Sequence, residues 1–157
     1  MQQDKPSILI RPAREDEQKP LEALQLRASL MNEGDRAYLM AHPEVIELPL
    51  QQIKDGLVFV AELTGTVVGY VSLKVYAKRK MELEGLFTEP DQWRQGIGRQ
   101  LVLHAIDISR SQGARTMIVF ANPHALGFYR RMGFIKEGEI TVESQTAMIM
   151  SMDLRRR

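Results

Sequence analysis

The sequence contains no cysteine. That excludes a disulfide framework, a thiolate metal site and a cysteine-borne acyl-enzyme, and it suits a reducing compartment. Its three histidines, His42, His104 and His124, lie far apart and match no metal-ligand spacing, so no metal is expected. No Gly-x-Ser-x-Gly elbow occurs, which disfavours a serine hydrolase. Charge of one sign is also lacking: 21 basic residues stand against 20 acidic ones. A nucleic-acid partner normally demands a strongly basic face, so none is expected. No apolar run approaches membrane-spanning length, and the opening MQQDKPSILIRP has no apolar leader core. The expectation is a cytoplasmic protein with no membrane partner. At 157 residues the chain has the usual size of one domain, expected to cover residues 1–157.

What is present centres on Glu82–Leu101, ELEGLFTEPDQWRQGIGRQL. Leu83–Thr88 is rich in strand formers, and Pro90-Asp91 breaks the strand. A glycine-bearing turn follows. From Ile97 onward, Ile97, Leu101, Ala105 and Ile108 recur at helical spacing. A strand feeding a helix through Gly96-Ile97-Gly98 leaves several N–H groups at the helix start without intrahelical partners. They share the direction of the helix dipole, so the turn suits an anion such as a pyrophosphate. Without Cβ atoms, Gly96 and Gly98 let a ligand approach the backbone. The turn is not a dinucleotide fingerprint, because Leu101 stands three residues beyond Gly98. Nor is it a P-loop, since no Gly-Lys-Ser/Thr follows. A plain strand-to-helix turn needs glycine too, so the turn alone leaves both readings open.

A second segment, NPHALGFYRRMGF at 122–134, follows the strand-like run TMIVF at 116–120. Together the two segments resemble the signature motifs of the GNAT superfamily, the acyl-CoA-dependent N-acyltransferases. Gly96 and Gly98 fall at the two small-residue positions of that family's Arg/Gln-x-x-Gly-x-Gly/Ala loop. Asn122, Ala125, Phe128, Tyr129, Gly133 and Phe134 are in register with its second motif. Trp93 stands where the family most often has Arg or Gln, which leaves open whether Arg94 or Arg99 supplies the side-chain charge.

Periodicity elsewhere extends the pattern. Strands are expected at Ser7–Arg11, Leu57–Leu63, Val67–Tyr76, Met81–Thr88, Arg115–Phe120, from Phe134, and at Gln145–Leu154. Helices are expected after Asp16, with Leu21, Leu24, Ala28 and Met31 on the apolar face, after Asn32, near Pro49–Lys54, at Ile97–Ser111 and at Pro123–Met132. Thr64-Gly65-Thr66 predicts a hairpin. The fold class is α/β (α+β): a single mixed, mostly antiparallel sheet of six to seven strands flanked by about four helices, in the GNAT-like arrangement. The Arg155-Arg156-Arg157 end reads as a solvated tail.

The resemblance implies an N-acetyltransferase that moves an acetyl group from acetyl-CoA, the cosubstrate, to a primary amine of a small molecule or peptide by direct transfer in a ternary complex. An alternative is a non-catalytic acyl-CoA-binding sensor or interaction module of the same fold, and a further rival is a nucleotide-binding protein using the same turn. By the resemblance, Arg94, Gln95, Gly96, Ile97, Gly98 and Arg99 hold the pyrophosphate. Phe87 and Thr88 line the pantetheine arm with Asn122, and an amide near Leu86 or Phe87 polarises the thioester carbonyl. Tyr129 is the general acid, a phenol of pKa about 10 able to protonate a departing thiolate. Glu84 is the base for the incoming ammonium, with Glu82, two residues earlier on the same strand face, as its rival. Acidic residues within Arg14–Asp55 are candidates for attracting a cationic acceptor, and a homodimer through the last strands is a family expectation.

Overall fold

The computed structural model describes residues 7–143 and 145–155. Of the basic tail, Arg156 and Arg157 therefore lie outside the described residues. Twelve regular elements follow one another: β1 (Ile8–Pro12), α1 (Gln18–Ser29), α2 (Glu33–Ala41), α3 (Leu50–Lys54), β2 (Val58–Leu63), β3 (Thr66–Ala77), β4 (Lys80–Thr88), α4 (Ile97–Ser111), β5 (Thr116–Ala121), α5 (Leu126–Met132), β6 (Ile135–Val142) and β7 (Gln145–Asp153). The seven strands form one mixed sheet in the order β1-β2-β3-β4-β5-β7-β6. Among the described residues no helix is long and apolar enough to cross a membrane.

The chain groups into two compact units: residues up to Ser72 with Gly85–Val102, and Leu73–Glu84 with residues from Leu103 onward. In the first unit, β1 pairs antiparallel with β2, and β2 with β3. The hairpin at Thr64-Gly65 is a two-residue loop closed by Leu63 opposite Thr66. Both turn residues have positive φ, 49° and 83°, the primed geometry whose twist matches the flanking strands. The β2–β3 register slips at Ala61/Glu62, where Gly69 and Val67 face consecutive residues and Val68 is left as a bulge. Leu21 and Leu24 of α1, Ile53 of α3, Val58 and Val60 of β2 and Tyr70 of β3 make the core, with Phe87 packed against it. Met31 is not part of that core. Helix α1 ends at Ser29, and Met31 beyond it is 48% exposed.

Ahead of α1, Glu17 closes a single 3-10 turn, Glu15–Glu17. Glu17 Oε1 accepts from the Arg14 backbone N–H at 2.8 Å. The same carboxylate takes two bonds from the Arg11 guanidinium, at 2.9 and 2.8 Å, while Arg11 Nε donates to Glu62 at 2.9 Å. These contacts hold the Glu17 carboxyl below its ordinary range, the Arg11 bond first among them.

In the second unit β4 and β5 run parallel over a short ladder, Lys80–Glu82 against Thr116–Ile118. β5 pairs antiparallel with β7 as far as Ala121 opposite Met148, and β7 with β6. Helix α4 was expected to bury Ile108. Its buried positions are instead Ile97, Leu101, Val102, Ala105, Ile106 and Ser109, and Ile108 is only half-buried. At about 100° per residue the buried face is centred near position 109, and position 108, beneath Leu101, lies at its edge.

Candidate functional site

Strand β4 delivers its last residues, Phe87 and Thr88, to a loop held at several points. Glu89 N–H donates to Val68 O at 2.8 Å, so the bulge in β3 receives the chain as it leaves β4. The Glu89 carboxylate is gripped by the Arg27 guanidinium of α1, at 2.9 and 3.3 Å. A single 3-10 turn at Pro90–Gln92 follows. Trp93 Nε1 donates to Thr88 O at 3.3 Å, and Gln95 Nε2 donates to Gln92 Oε1 at 3.0 Å. Trp93, standing where the resemblance leads one to expect Arg or Gln, ties the loop to the end of β4.

Arg94 and Gly96 both have left-handed backbones, with φ of 69° and 77°. Left-handed residues within such a turn, running into a right-handed helix, gather N–H groups into a concavity that suits an anion. Gln100 N–H to Gly96 O, at 3.1 Å, is the first α4 bond, so the N–H groups of Ile97, Gly98 and Arg99 belong to the helix's first turn. Open space surrounds the missing Cβ of Gly96, so this glycine serves conformation rather than room. Arg94, Gln95 and Arg99 are exposed, and Ile97 is buried beneath them.

Two residues that position this loop went unread in the sequence. A Cβ built on Gly69 would lie 3.0 Å from Phe87 O, 3.1 Å from Thr88 Cγ2 and 3.2 Å from Ile97 Cγ2. β3 and the start of α4 close on the end of β4 so tightly that any side chain at Gly69 would press its neighbours aside by a few tenths of an ångström. Likewise a Cβ on Gly85 would meet Ser72 Oγ at 2.8 Å and the Phe87 ring at 2.9 Å. The Phe87 ring rests against Tyr70, with centroids 5.4 Å apart, and Tyr70 OH is anchored on Gln25 at 2.6 Å. An isolated glycine within the strand-like VVGYV was the available signal for a bulge or close backbone approach.

The second unit carries the candidate acid and bases. Tyr129 on α5 is 5% exposed and lies edge-on to Phe128 and Phe134, at 5.1 and 5.4 Å. Burial pushes its phenol above the ordinary range. Gly133, with φ 105°, closes α5 and turns the chain so that Phe134 meets Tyr129. Asn122 starts this segment. Its Oδ1 accepts from His124 N–H at 3.2 Å, and its carbonyl accepts from Ala125 N–H at 2.8 Å.

Glu82 is half-buried and Glu84 exposed. Desolvation raises the Glu82 carboxyl above its usual range, the Glu84 charge adds to that, and Lys74 opposes it. The Glu84 charge thus reaches Glu82, as their shared strand face predicts. The lysine that tempers Glu82 is Lys74, whereas Lys80 rests over the Tyr76 ring, 5.6 Å from its centroid.

Comparison with known proteins places these features in context. The family model described as Acetyltransferase (GNAT) family matches residues 24–134. A UPF0039 protein of Schizosaccharomyces pombe is 28% identical over 105 residues, 66% of this chain and 68% of that one. The peptidyl-lysine N-acetyltransferase YjaB of Salmonella typhimurium is 39% identical over 61 residues, 39% of this chain and 41% of that one. The PaiA N-acetyltransferase of Thermoplasma acidophilum, solved in complex with coenzyme A, superimposes with a TM-score of 0.77 at 23% identity, covering 94% of this chain and 99% of that one. At that identity the superposition speaks for the fold.

Proposed function

The chain belongs to the acetyltransferase (GNAT) family, and with it to the acetyl-CoA-dependent acetyltransferases; from this premise we propose that residues 1–157 act as one domain that moves the acetyl group of acetyl-CoA onto a primary amine by direct transfer in a ternary complex. The observation that carries the proposal is the loop Arg94–Arg99, where left-handed Arg94 and Gly96 run into the first turn of a fifteen-residue helix. That geometry offers N–H groups and the positive end of a helix dipole to a pyrophosphate. It is supported by the tethers on Thr88 and Glu89, which hold the loop in shape before any ligand arrives.

In this reading Arg94, Gln95, Gly96, Ile97, Gly98 and Arg99 bind the diphosphate of coenzyme A. The backbone of Phe87 and Thr88 aligns the pantetheine arm with help from Asn122, and an N–H near Leu86 or Phe87 steadies the oxyanion as the amine adds to the thioester carbon. Glu84, through water, takes the proton that keeps the amine from attacking. Tyr129 gives its proton to the sulfur as the carbon–sulfur bond breaks and regains one as the nitrogen sheds its second proton, which releases coenzyme A and the acetylated amine. The burial that raises the Tyr129 phenol keeps that proton in place throughout the working pH range.

Thermal shift with acetyl-CoA, free coenzyme A and ATP tests the binding half, repeated on Gly98→Trp. A ligand at about 100 times its Kd stabilises by roughly 2.7 kcal/mol, a clear rise in melting temperature. The expected pattern is a shift with both coenzymes, none with ATP, and loss of the shift in Gly98→Trp. ATP alone shifting the melt would point to a nucleotide-binding turn instead. A sensor without catalysis is the second reading, favoured by the packing of Tyr129 between two rings. It predicts the coenzyme shift with no amine-dependent release of coenzyme A.

A further inference from the structure

Within the second unit one sheet face places two carboxylates beside two aromatic rings. Glu82 of β4 and Ile118 of β5 are register partners on parallel strands. Two residues further along each strand, in the same direction and on the same face, come Glu84 and Phe120. Beyond this last pair of the ladder, one strand thus carries a carboxylate and the other a ring. The Phe120 ring meets Tyr76 of β3, with centroids 6.1 Å apart and planes tilted by 47°. Both rings remain open, Tyr76 at 50% and Phe120 at 37% exposure, whereas Ile118, the partner of Glu82, is buried at 7%. Facing water, such an apolar pair gains nothing; against a flat apolar group it gains area and ring contact. Lys74 acts on Glu82, and Lys80 sits over Tyr76. The face thus carries two ammonium groups of its own, which would repel a second cationic end on a bound molecule.

We propose that Tyr76 and Phe120 select the acceptor: an arylalkyl monoamine whose ring packs on the two side chains while its ammonium meets Glu84 and Glu82. This rests on the acetyl-transfer reading above and adds the chemical class of the amine. Acetyl transfer then forms the amide N–C bond, breaks the thioester C–S bond, and returns one proton to the sulfur and one to solvent through the carboxylate. Tyr76 and Phe120 touch only the acceptor's side group and so govern choice among amines rather than the chemical step.

The test is release of coenzyme A at saturating acetyl-CoA with 2-phenylethylamine, ethylamine and 1,4-diaminobutane as acceptors. Melting curves with and without acetyl-CoA are recorded on the same samples. The expected result is kcat/KM for 2-phenylethylamine above that for either other amine, with the ratio to ethylamine falling about tenfold in Phe120→Ala and in Tyr76→Ala. Should an alanine variant fail to fold, Phe120→Leu, which keeps apolar volume but loses the ring, is expected to lower the same ratio. Equal rates with 2-phenylethylamine and ethylamine, or a preference that survives these variants, would overturn the assignment while leaving acetyl transfer standing. Activity with none of the three amines despite an acetyl-CoA shift would also overturn it. Absence of that shift would remove the acetyl-transfer reading itself. Sedimentation showing a dimer that Tyr76→Asp converts to monomer, with amine choice unchanged, would reassign the face to self-association.

Discussion

Substituting alanine for Gly69 adds a single methyl group where β3, the end of β4 and the start of α4 converge. The new Cβ would stand 3.0 Å from Phe87 O, 3.1 Å from Thr88 Cγ2 and 3.2 Å from Ile97 Cγ2. Carbon atoms at rest sit about 3.5–4.0 Å apart, so the two methyl neighbours must yield by several tenths of an ångström, and the approach to the carbonyl oxygen is also tighter than a resting contact. One of the three is backbone and cannot rotate away. Overpacking of this kind costs about 1–3 kcal/mol. In a chain of this size that lowers the melting temperature by about 2–12 °C. Since Phe87, Thr88 and Ile97 are the residues expected to align coenzyme A, stabilisation by acetyl-CoA should shrink as well. Two other glycines separate the causes. Gly34→Ala, in α2 with open space around it, should be neutral or stabilise by up to about 1 kcal/mol, because alanine is the better helix former. Gly96→Ala meets no atom but must hold φ near 77°, so it should cost about 1–3 kcal/mol through backbone strain alone. The assay is thermal unfolding of the three variants, each with and without acetyl-CoA. If Gly69→Ala melted with the parent and responded equally to acetyl-CoA, the close approach of β3 to β4 would be refuted as the device that sets the loop.

Tyr129→Phe removes only the phenolic oxygen; it should lower amine-dependent release of coenzyme A by about 10²–10⁴-fold while acetyl-CoA still raises the melting temperature. Equal turnover in the variant would make Tyr129 a packing residue between Phe128 and Phe134. The Arg11–Glu17 pair gives a pH signature. Because the folded pKa of Glu17 lies below its ordinary value, its contribution is fully present above about pH 4.5 and is lost as pH falls through the folded pKa. Glu17→Gln should destabilise by about 1–3 kcal/mol at pH 7, and its melting temperature should fall less than the parent's between pH 5 and about 3; parallel curves would show the pair contributes nothing. Ser109 on α4 is fully buried, and its Oγ has no hydrogen-bond partner among the described residues. Ser109→Ala should therefore be neutral or raise the melting temperature by a few degrees, since it removes a desolvated hydroxyl. A fall by more than about 1 kcal/mol would mean that the hydroxyl is satisfied in solution.

The sequence by itself determined the order of elements and the place of the loop between β4 and α4. Strand and helix periods, the Thr64-Gly65 turn and the boundaries of α4 at Ile97 and Ser111 all follow from local steric and hydrogen-bonding preferences. Such preferences are written into neighbouring residues, and so are the two motifs that led to the family. Tertiary structure alone decided matters that depend on residues distant in the chain. Met31 left the apolar stripe because α1 stops at Ser29, and the buried stripe of α4 passed to Ser109 because packing follows the true helical pitch. Gly69 and the Val68 bulge on β3 and the grip of Arg27 on Glu89 hold the loop from other elements, and Gly85 does so through its close approach to Ser72 on β3. The meeting of Tyr76 with Phe120, separated by a strand and a helix, was likewise decided by the folded sheet. A glycine looks the same in sequence whether it serves φ, as Gly96 does, or proximity, as Gly69 does. Only the position of the neighbouring backbone separates the two, and that position is fixed by the folded sheet rather than by the residues on either side.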